Sequence, residues 1–329
     1  MPGLFDRMLK DNESLFLNPE HLDYSYQPKI IPFRESQQFY IASCIRPLFS
    51  KRDGKNLLIC GTQGIGKTVC CKHVLKELKE ETDEILIIYI NCWIDETAYK
   101  ITLNICSQLG YKWIADKNTK ELMDEIISII NKKSAVIVFD EFDKMQDYGI
   151  LYSILERIYK KSIILITNDI NSLRKLEQRI TSRLNIDRLE FKPYTETETR
   201  EILKTRKDYA FVSNAFDGDA FDLIASKAHE LKDIRKGLFL LKEAGNIAEE
   251  ESSKKITLAH AEAAIKKIND FSDARTLKNE EAIVLNLIKE NPKKSMKEIY
   301  DIYSKEFSKS YKTFQRIVSR LEQTNAMKK

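Results

Sequence analysis

The stretch Gly61-Thr62-Gln63-Gly64-Ile65-Gly66-Lys67-Thr68 fits G-x-x-x-x-G-K-[ST]. This spacing makes a phosphate-binding loop when it follows a strand and opens a helix. Its glycines let the backbone wrap an anion with N–H groups turned inward. The helix start adds partial positive charge. Lys67 would reach the β and γ phosphates of ATP, the Thr68 hydroxyl would ligate Mg2+, and Val69 completes the nucleotide-contacting stretch. A chance glycine-rich turn is the alternative, and the flanking strand and helix argue against it.

A second element answers the first. Val136-Ile137-Val138-Phe139-Asp140-Glu141 is an apolar run ending in two carboxylates. Asp140 would hold Mg2+ through its water shell, and Glu141 would polarise the attacking water as a general base. Asp143 reads as structural. Ile163-Ile164-Leu165-Ile166-Thr167-Asn168 is another buried strand ending in a polar residue. With this fourth strand beside the phosphate-loop strand, Asn168 would face the γ-phosphate and orient water.

Five apolar runs supply the scaffold: Asn56–Gly61, Glu84–Cys92, Ser134–Asp143, Lys161–Asp169 and Asp187–Pro193. They lack period-2 alternation, as strands covered on both faces do. Helical patterns at Lys67–Lys79, Ala98–Leu109, Thr119–Asn131 and Gly149–Tyr159 separate most of them, so the fold is an α/β parallel sheet with right-handed crossovers. Past Pro193 only amphipathic helices follow: Glu196–Lys207, Asp219–Glu230, Asp233–Glu251 and Thr257–Asn269. The polar stretch Asp270–Arg275 reads as a linker. Three more helices come after it, near Glu280–Glu290, Ser295–Lys305 and Lys309–Gln323. Pro292 ends the first, and Ser295 with Glu298 makes a capping box for the second.

The net charge is only +4, but from Leu277 onward twelve Lys and Arg face seven Asp and Glu, so the excess positive charge lies in that segment. None of the six cysteines forms a C-x-x-C pair, and most sit in apolar runs. They read as buried, reduced thiols rather than disulfides or zinc ligands. The four histidines show no ligand spacing. With no basic-then-apolar leader and no run long enough to span a bilayer, the expectation is a soluble, cytoplasmic protein with no membrane partner.

The order of these motifs resembles the AAA+ superfamily, and further stretches resemble archaeal replication initiators of the origin-recognition-complex and cell-division-control type. One is Asp23-Tyr24-Ser25-Tyr26-Gln27-Pro28-Lys29-Ile30-Ile31-Pro32-Phe33-Arg34-Glu35. Others are Arg179-Ile180-Thr181-Ser182-Arg183-Leu184 with Leu189-Glu190-Phe191-Lys192-Pro193-Tyr194, then Ile202-Leu203-Lys204-Thr205-Arg206, and Asp233-Ile234-Arg235-Lys236-Gly237-Leu238. The resemblance runs from about Leu22 to about Leu321. It implies a AAA+ nucleotide-binding domain over residues 1–195, a helical lid over 196–272 and a C-terminal winged-helix domain over 277–329. It also implies that Tyr26, Pro28, Arg34, Tyr194 and Arg206 lie at the nucleotide. Arg235 would be the lid sensor, and Arg183 a finger reaching a neighbouring subunit's γ-phosphate, with Arg179 its competitor. Lys232 departs from the pattern, standing where glycine commonly precedes Asp-x-Arg. The family's DNA-touching helical insertion falls nearest Trp93–Tyr111.

In the last helix Tyr311, Phe314, Ile317, Val318 and Leu321 share a core face, while Lys312, Arg316 and Arg320 recur every four residues on another. With Lys293 and Lys294 in the preceding loop, these are the candidate DNA contacts. Glu322–Lys329 are too few for a full wing, so the wing is short or missing. The expected function is an ATP/ADP-switched protein with slow hydrolysis that binds double-stranded origin DNA and recruits or loads the replicative minichromosome-maintenance helicase. Self-association or a paralogue would add further partners. The rival readings are a clamp-loader or helicase-loader ATPase, and a signalling NTPase whose winged helix docks protein.

Overall fold

The computed structural model describes residues 14–291, 294–307 and 310–323, without the side chains of 269–282, 289, 305, 306, 320, 322 and 323. The chain divides into two compact units, Met1–Leu258 and Ala259–Lys329.

The first unit holds a five-stranded sheet of β1 (Asn56–Cys60), β2 (Ile85–Asn91), β3 (Ser134–Asp140), β4 (Lys161–Thr167) and β5 (Ile186–Glu190). All neighbours are parallel, in the order β2-β3-β4-β1-β5. β1 therefore lies beside β4, as the reading of Asn168 required. β3 and β4 are the most deeply buried strands, and β3 is buried throughout. Each predicted strand is present; the first four are trimmed at their ends, and the fifth begins one residue earlier and stops at Glu190. β5 corrects the expectation of burial on both faces: it is an edge strand, so its side chains are half-buried or exposed.

Helices α1 (Glu35–Ile45), α2 (Lys67–Glu81), α3 (Ala98–Gln108), α4 (Thr119–Ile130), α5 (Gly149–Arg157) and α6 (Gln178–Leu184) join this sheet. One face packs β1, β3 and β4 side chains such as Leu57, Val138 and Ile164 against α1 and α2. The other packs Leu58, Ile137 and Leu165 against α3, α4 and α5. All six cysteines are buried and free. Asn118 caps α4 through a reciprocal box with Glu121, which fixes where that helix begins after its loop.

The lid consists of α7 (Glu196–Ala210), α8 (Gly218–Glu230) and α9 (Ile234–Glu250). A Thr195–Glu198 capping box opens α7. Residues 14–23 belong physically with these helices. Leu15 N and Ser14 Oγ donate to Glu249 at 2.7 Å, and Lys242 pairs with Asp23 at 2.8 Å. Gly245 permits this docking, because a Cβ there would stand 2.5 Å from the Phe16 ring.

Helix α10 runs Leu258–Glu290, through the residues expected to form a linker at Asp270–Arg275. That stretch is polar but contains neither glycine nor proline, and polarity alone does not end a helix. In the second unit α11 (Met296–Glu306) begins at the predicted Ser295–Glu298 capping box, and α12 spans Tyr311–Gln323. Val284, Ile299, Tyr303, Phe314, Ile317 and Leu321 form its core. Tyr311, expected in that core, is 37% exposed and meets Tyr300 edge-on. Of Glu322–Lys329, on which the wing was judged, residues 324–329 lie outside the described residues.

Candidate nucleotide-binding site

The phosphate loop joins β1 to α2, so its backbone closes over the N-terminus of α2. Gly64 and Gly66 carry φ of +73° and +90°, a region L side chains enter only at a cost. Both also face close neighbours: a Cβ on Gly66 would stand 2.8 Å from Tyr194 Oη. Arg34 braces the loop from behind. It is 5% exposed, donates to the carbonyls of Ile65 (3.1 Å) and Lys192 (2.7 Å), and stacks over the Tyr194 ring at 3.9 Å.

Lys67 Nζ donates to the carbonyls of Gly61 (2.9 Å) and Thr62 (2.7 Å) and to Asn168 Oδ1 (2.8 Å). The Asn168 amide in turn donates to Glu141 Oε2 at 2.6 Å. Three residues from three separate segments thus form one hydrogen-bonded line. Asp143 holds the end of β4, accepting from Thr167 Oγ1 at 2.9 Å and Asn168 N at 3.4 Å, which is the structural role expected of it. Burial lowers the Lys67 pKa, although Glu141 and Asp140 oppose the shift. Burial raises that of Glu141, helped by the charges of Asp140 and Asp143. Glu141 also has φ +52°, a strained backbone for a non-glycine residue at the end of β3.

The Asp140 carboxylate is held at both oxygens. Oδ2 accepts from Thr68 Oγ1 at 2.9 Å, and Oδ1 accepts from Glu141 N at 2.9 Å. The Tyr89 phenol also donates to Oδ2. Burial and the Asp140 charge push the Tyr89 pKa well above its ordinary value.

These groups line a cleft of about 340 Å3, within the range of small-molecule sites. Its walls come from three parts of the first unit. The early segment gives Tyr24, Tyr26, Pro28, Ile31 and Pro32. The sheet and loop give Gln63, Gly64, Gly66, Lys67, Thr68, Val69, Asn91, Asp140, Glu141, Asn168 and Tyr194. The lid gives Ile202, Arg206, Ile234, Arg235 and Leu238. Arg206 lies over the Tyr26 ring at 4.7 Å, and its buried Nη1 has no hydrogen-bond partner among the described residues. Arg235 is tied to Asp233, with Nε to Oδ1 at 3.2 Å and Nη2 to Oδ2 at 3.0 Å.

Some expected residues stand apart. Arg34 is behind the loop rather than in the cleft wall, and Gly61, Thr62 and Ile65 act through their carbonyls. Arg183 lines a separate cavity at the opposite end of the sheet, with Lys55, Lys161 and Asp187, where it pairs with Glu156 at 2.6 Å. Arg179 pairs with Glu177 at 2.6 Å. In the second unit Lys294, Lys312 and Arg316 are exposed. Lys293 and the Arg320 side chain lie outside the described residues. Sequence reasoning missed Tyr89 and the cleft-side role of Asp233. The signal for Tyr89 was a phenol inside an apolar strand, since a buried hydroxyl needs a partner.

Fold and site together define a AAA+ ATPase with an all-helical lid. Residues 51–176 match the AAA domain family, and 200–266 match the Cdc6 AAA+ ATPase-type lid domain. The chain is 33% identical to the ORC1-type DNA replication protein of Pyrococcus horikoshii over 286 residues, covering 80% of this chain and 68% of that one. Against ORC1-type DNA replication protein 1 of Sulfurisphaera tokodaii it is 31% identical over 328 residues, covering 93% and 82%. The Aeropyrum pernix ORC1 protein, solved in complex with DNA, superposes with a TM-score of 0.73 at 26% identity, over 96% of this chain and 89% of that one. The chain belongs to the family of ORC1-type DNA replication proteins. It is an ATPase that binds ATP and ADP, as the expectation from sequence had it. Among the described residues no helix is long and apolar enough to cross a membrane.

Proposed function

We propose that this protein is a replication initiator whose nucleotide state switches its grip on double-stranded origin DNA, with slow, regulatory hydrolysis. The observation that carries this reading is the line Lys67–Asn168–Glu141 at the floor of a cleft walled by the lid. Lys67 and the loop N–H groups bind the phosphates. Glu141 takes the proton of the attacking water, and Asn168 sets that water's position. Thr68 and Asp140 offer hard oxygen donors 2.9 Å apart, a set that fits Mg2+. Mg2+ held there would supply positive charge to offset the negative charge of the nucleotide's phosphates. Tyr26, Pro28, Tyr194 and Arg206 surround the base. Arg235 reports nucleotide state to the lid on exchanging Asp233 for phosphate. Arg183, remote from its own cleft, serves the γ-phosphate of an adjacent copy or paralogue.

The domain ranges 1–195, 196–272 and 277–329 and the winged-helix reading of the last belong to the same proposal. Lys293, Lys294, Lys312, Arg316 and Arg320 contact the duplex, and Trp93–Tyr111, where Trp93 is exposed, is the AAA+ domain's second DNA-facing segment. Recruitment of the minichromosome-maintenance helicase and residence on the nucleoid complete the reading. Its support is the family's role in replication and the DNA held by the Aeropyrum pernix relative.

The test is fluorescence anisotropy at one stated salt concentration with ATP and Mg2+, comparing a candidate origin repeat with the same bases scrambled. Tighter binding to the repeat, lost in Lys312→Ala/Arg316→Ala, is expected. Equal weak binding to both duplexes would favour a loader or a protein-docking NTPase.

A further inference from the structure

Tyr89 is the one member of the site's hydrogen-bonded set that the sequence motifs do not contain. It lies on β2, whose register pairs Asn91 with Asp140 and Tyr89 with Val138. Tyr89 is therefore the diagonal neighbour of Asp140 on the same sheet face, within reach of a long aromatic side chain. Its phenol donates to Asp140 Oδ2, the oxygen that also accepts from Thr68.

The rest of the residue is immobilised. β2 is an edge strand, so among the described residues the Tyr89 peptide has no strand partner on its outer side. Gln108 of α3 replaces that partner in both senses: Tyr89 N donates to Gln108 Oε1 at 2.9 Å, and Gln108 Nε2 donates to Tyr89 O at 2.7 Å. Lys72, on α2, lies over the ring at 4.7 Å. Backbone, ring and hydroxyl are each held by a different element, and the hydroxyl is aimed at the carboxylate.

We infer that Tyr89 is a positioning residue for the metal half of the nucleotide site, fixing the Asp140 carboxylate in the rotamer that faces Thr68. The inference rests on the nucleotide-site reading above. Groups that orient a metal-facing carboxylate typically change metal affinity by about 10–100-fold when removed. The α3 helix, otherwise remote from the phosphates, is thereby linked to the metal through Gln108 and Tyr89.

The test uses the full chain with a fluorescent ADP analogue, read at increasing Mg2+ and again in EDTA, alongside the thermal midpoint. Tyr89→Phe keeps the ring and removes only the donor. The concentration of Mg2+ giving half its effect should rise roughly tenfold, with metal-free nucleotide binding as in the parent. In the Asp140→Asn background Tyr89→Phe should add nothing further, because its action runs through that carboxylate. A lowered thermal midpoint with unchanged Mg2+ half-saturation would mean a packing role and overturn the inference. So would an undiminished Tyr89→Phe effect beside Asp140→Asn. Should Tyr89→Phe fail to fold, the exposed substitution Gln108→Ala carries the test: a smaller shift in the same direction is expected, and no shift overturns it. If the parent chain binds no nucleotide, or binds it with no response to Mg2+, the nucleotide-site reading itself fails.

Discussion

The carboxylate of Asp233 occupies the space that Gly64 leaves by having no side chain: a Cβ at Gly64 would stand 1.8 Å from Asp233 Oδ1. One residue on, Ile234 N donates to the Gly64 carbonyl at 3.1 Å. Lid and phosphate loop thus meet through an acid and a glycine, and the same acid holds Arg235. A phosphate arriving at the loop meets a resident carboxylate already paired with the lid's arginine. Exchange of one anion for the other gives the lid two arrangements with different contacts, which a switch requires.

Gly64→Ala should therefore uncouple loop and lid. The methyl displaces Asp233, and the left-handed backbone costs a further ~1–2 kcal/mol. That strain lowers stability, and ATP affinity should fall about tenfold through the lost lid contact, a change of roughly 1.4 kcal/mol. Equilibrium titration with a fluorescent ATP analogue checks this; affinity within twofold of the parent would show that lid contact at Gly64 is dispensable.

Lys67→Ala and Glu141→Gln should separate binding from turnover. The first removes the cation that meets the phosphates, and nucleotide binding should be lost. The second keeps the shape and the Asn168 contact but cannot accept a proton, so ATP should bind while hydrolysis falls by about 100-fold or more. Filter binding with single-turnover hydrolysis distinguishes the two, and wild-type turnover in Glu141→Gln would remove Glu141 from the role of base.

The pH dependence of turnover has a definite sign. Burial, then the charges of Asp140 and Asp143, raise the Glu141 pKa above its ordinary 4.5. The base works only as carboxylate, so activity should decline on acidification at a pH above that value. A pH series of the hydrolysis rate at saturating ATP reads the limb directly. A limb at or below the ordinary value would contradict the burial argument.

Lys232 should tolerate, and profit from, replacement by glycine. It sits at φ +51° between α8 and α9, a left-handed backbone that suits glycine better than lysine. Lys232→Gly relieves the left-handed strain but adds freedom to the unfolded chain, leaving a net gain of up to about 1 kcal/mol. A denaturant titration should show a higher midpoint, whereas a lower one would mean that the lysine side chain makes a contact outweighing the strain.

The sequence by itself determined everything that repeats locally. Residues 61–68 declared the phosphate loop because only glycine and a helix start suit a wrapped anion. Unbroken apolar runs declared a sheet covered on both faces, and Asp140, Glu141 and Asn168 announced themselves as polar residues ending such runs. Ser295 with Glu298 gave a helix start that the structure reproduces. Only the tertiary structure decided which strands are neighbours, and hence that Lys67, Asn168 and Glu141 share one line although Asn168 lies 101 residues from Lys67. It also decided that Arg34 braces the loop, that residues 14–23 belong with the lid, that helix continues through 270–275, and that Tyr89 reaches Asp140. The reason is common to these cases. A hydrogen bond between elements depends on register and on which face a side chain takes, and strand pairing across long stretches of chain leaves no trace in the residues that flank each partner.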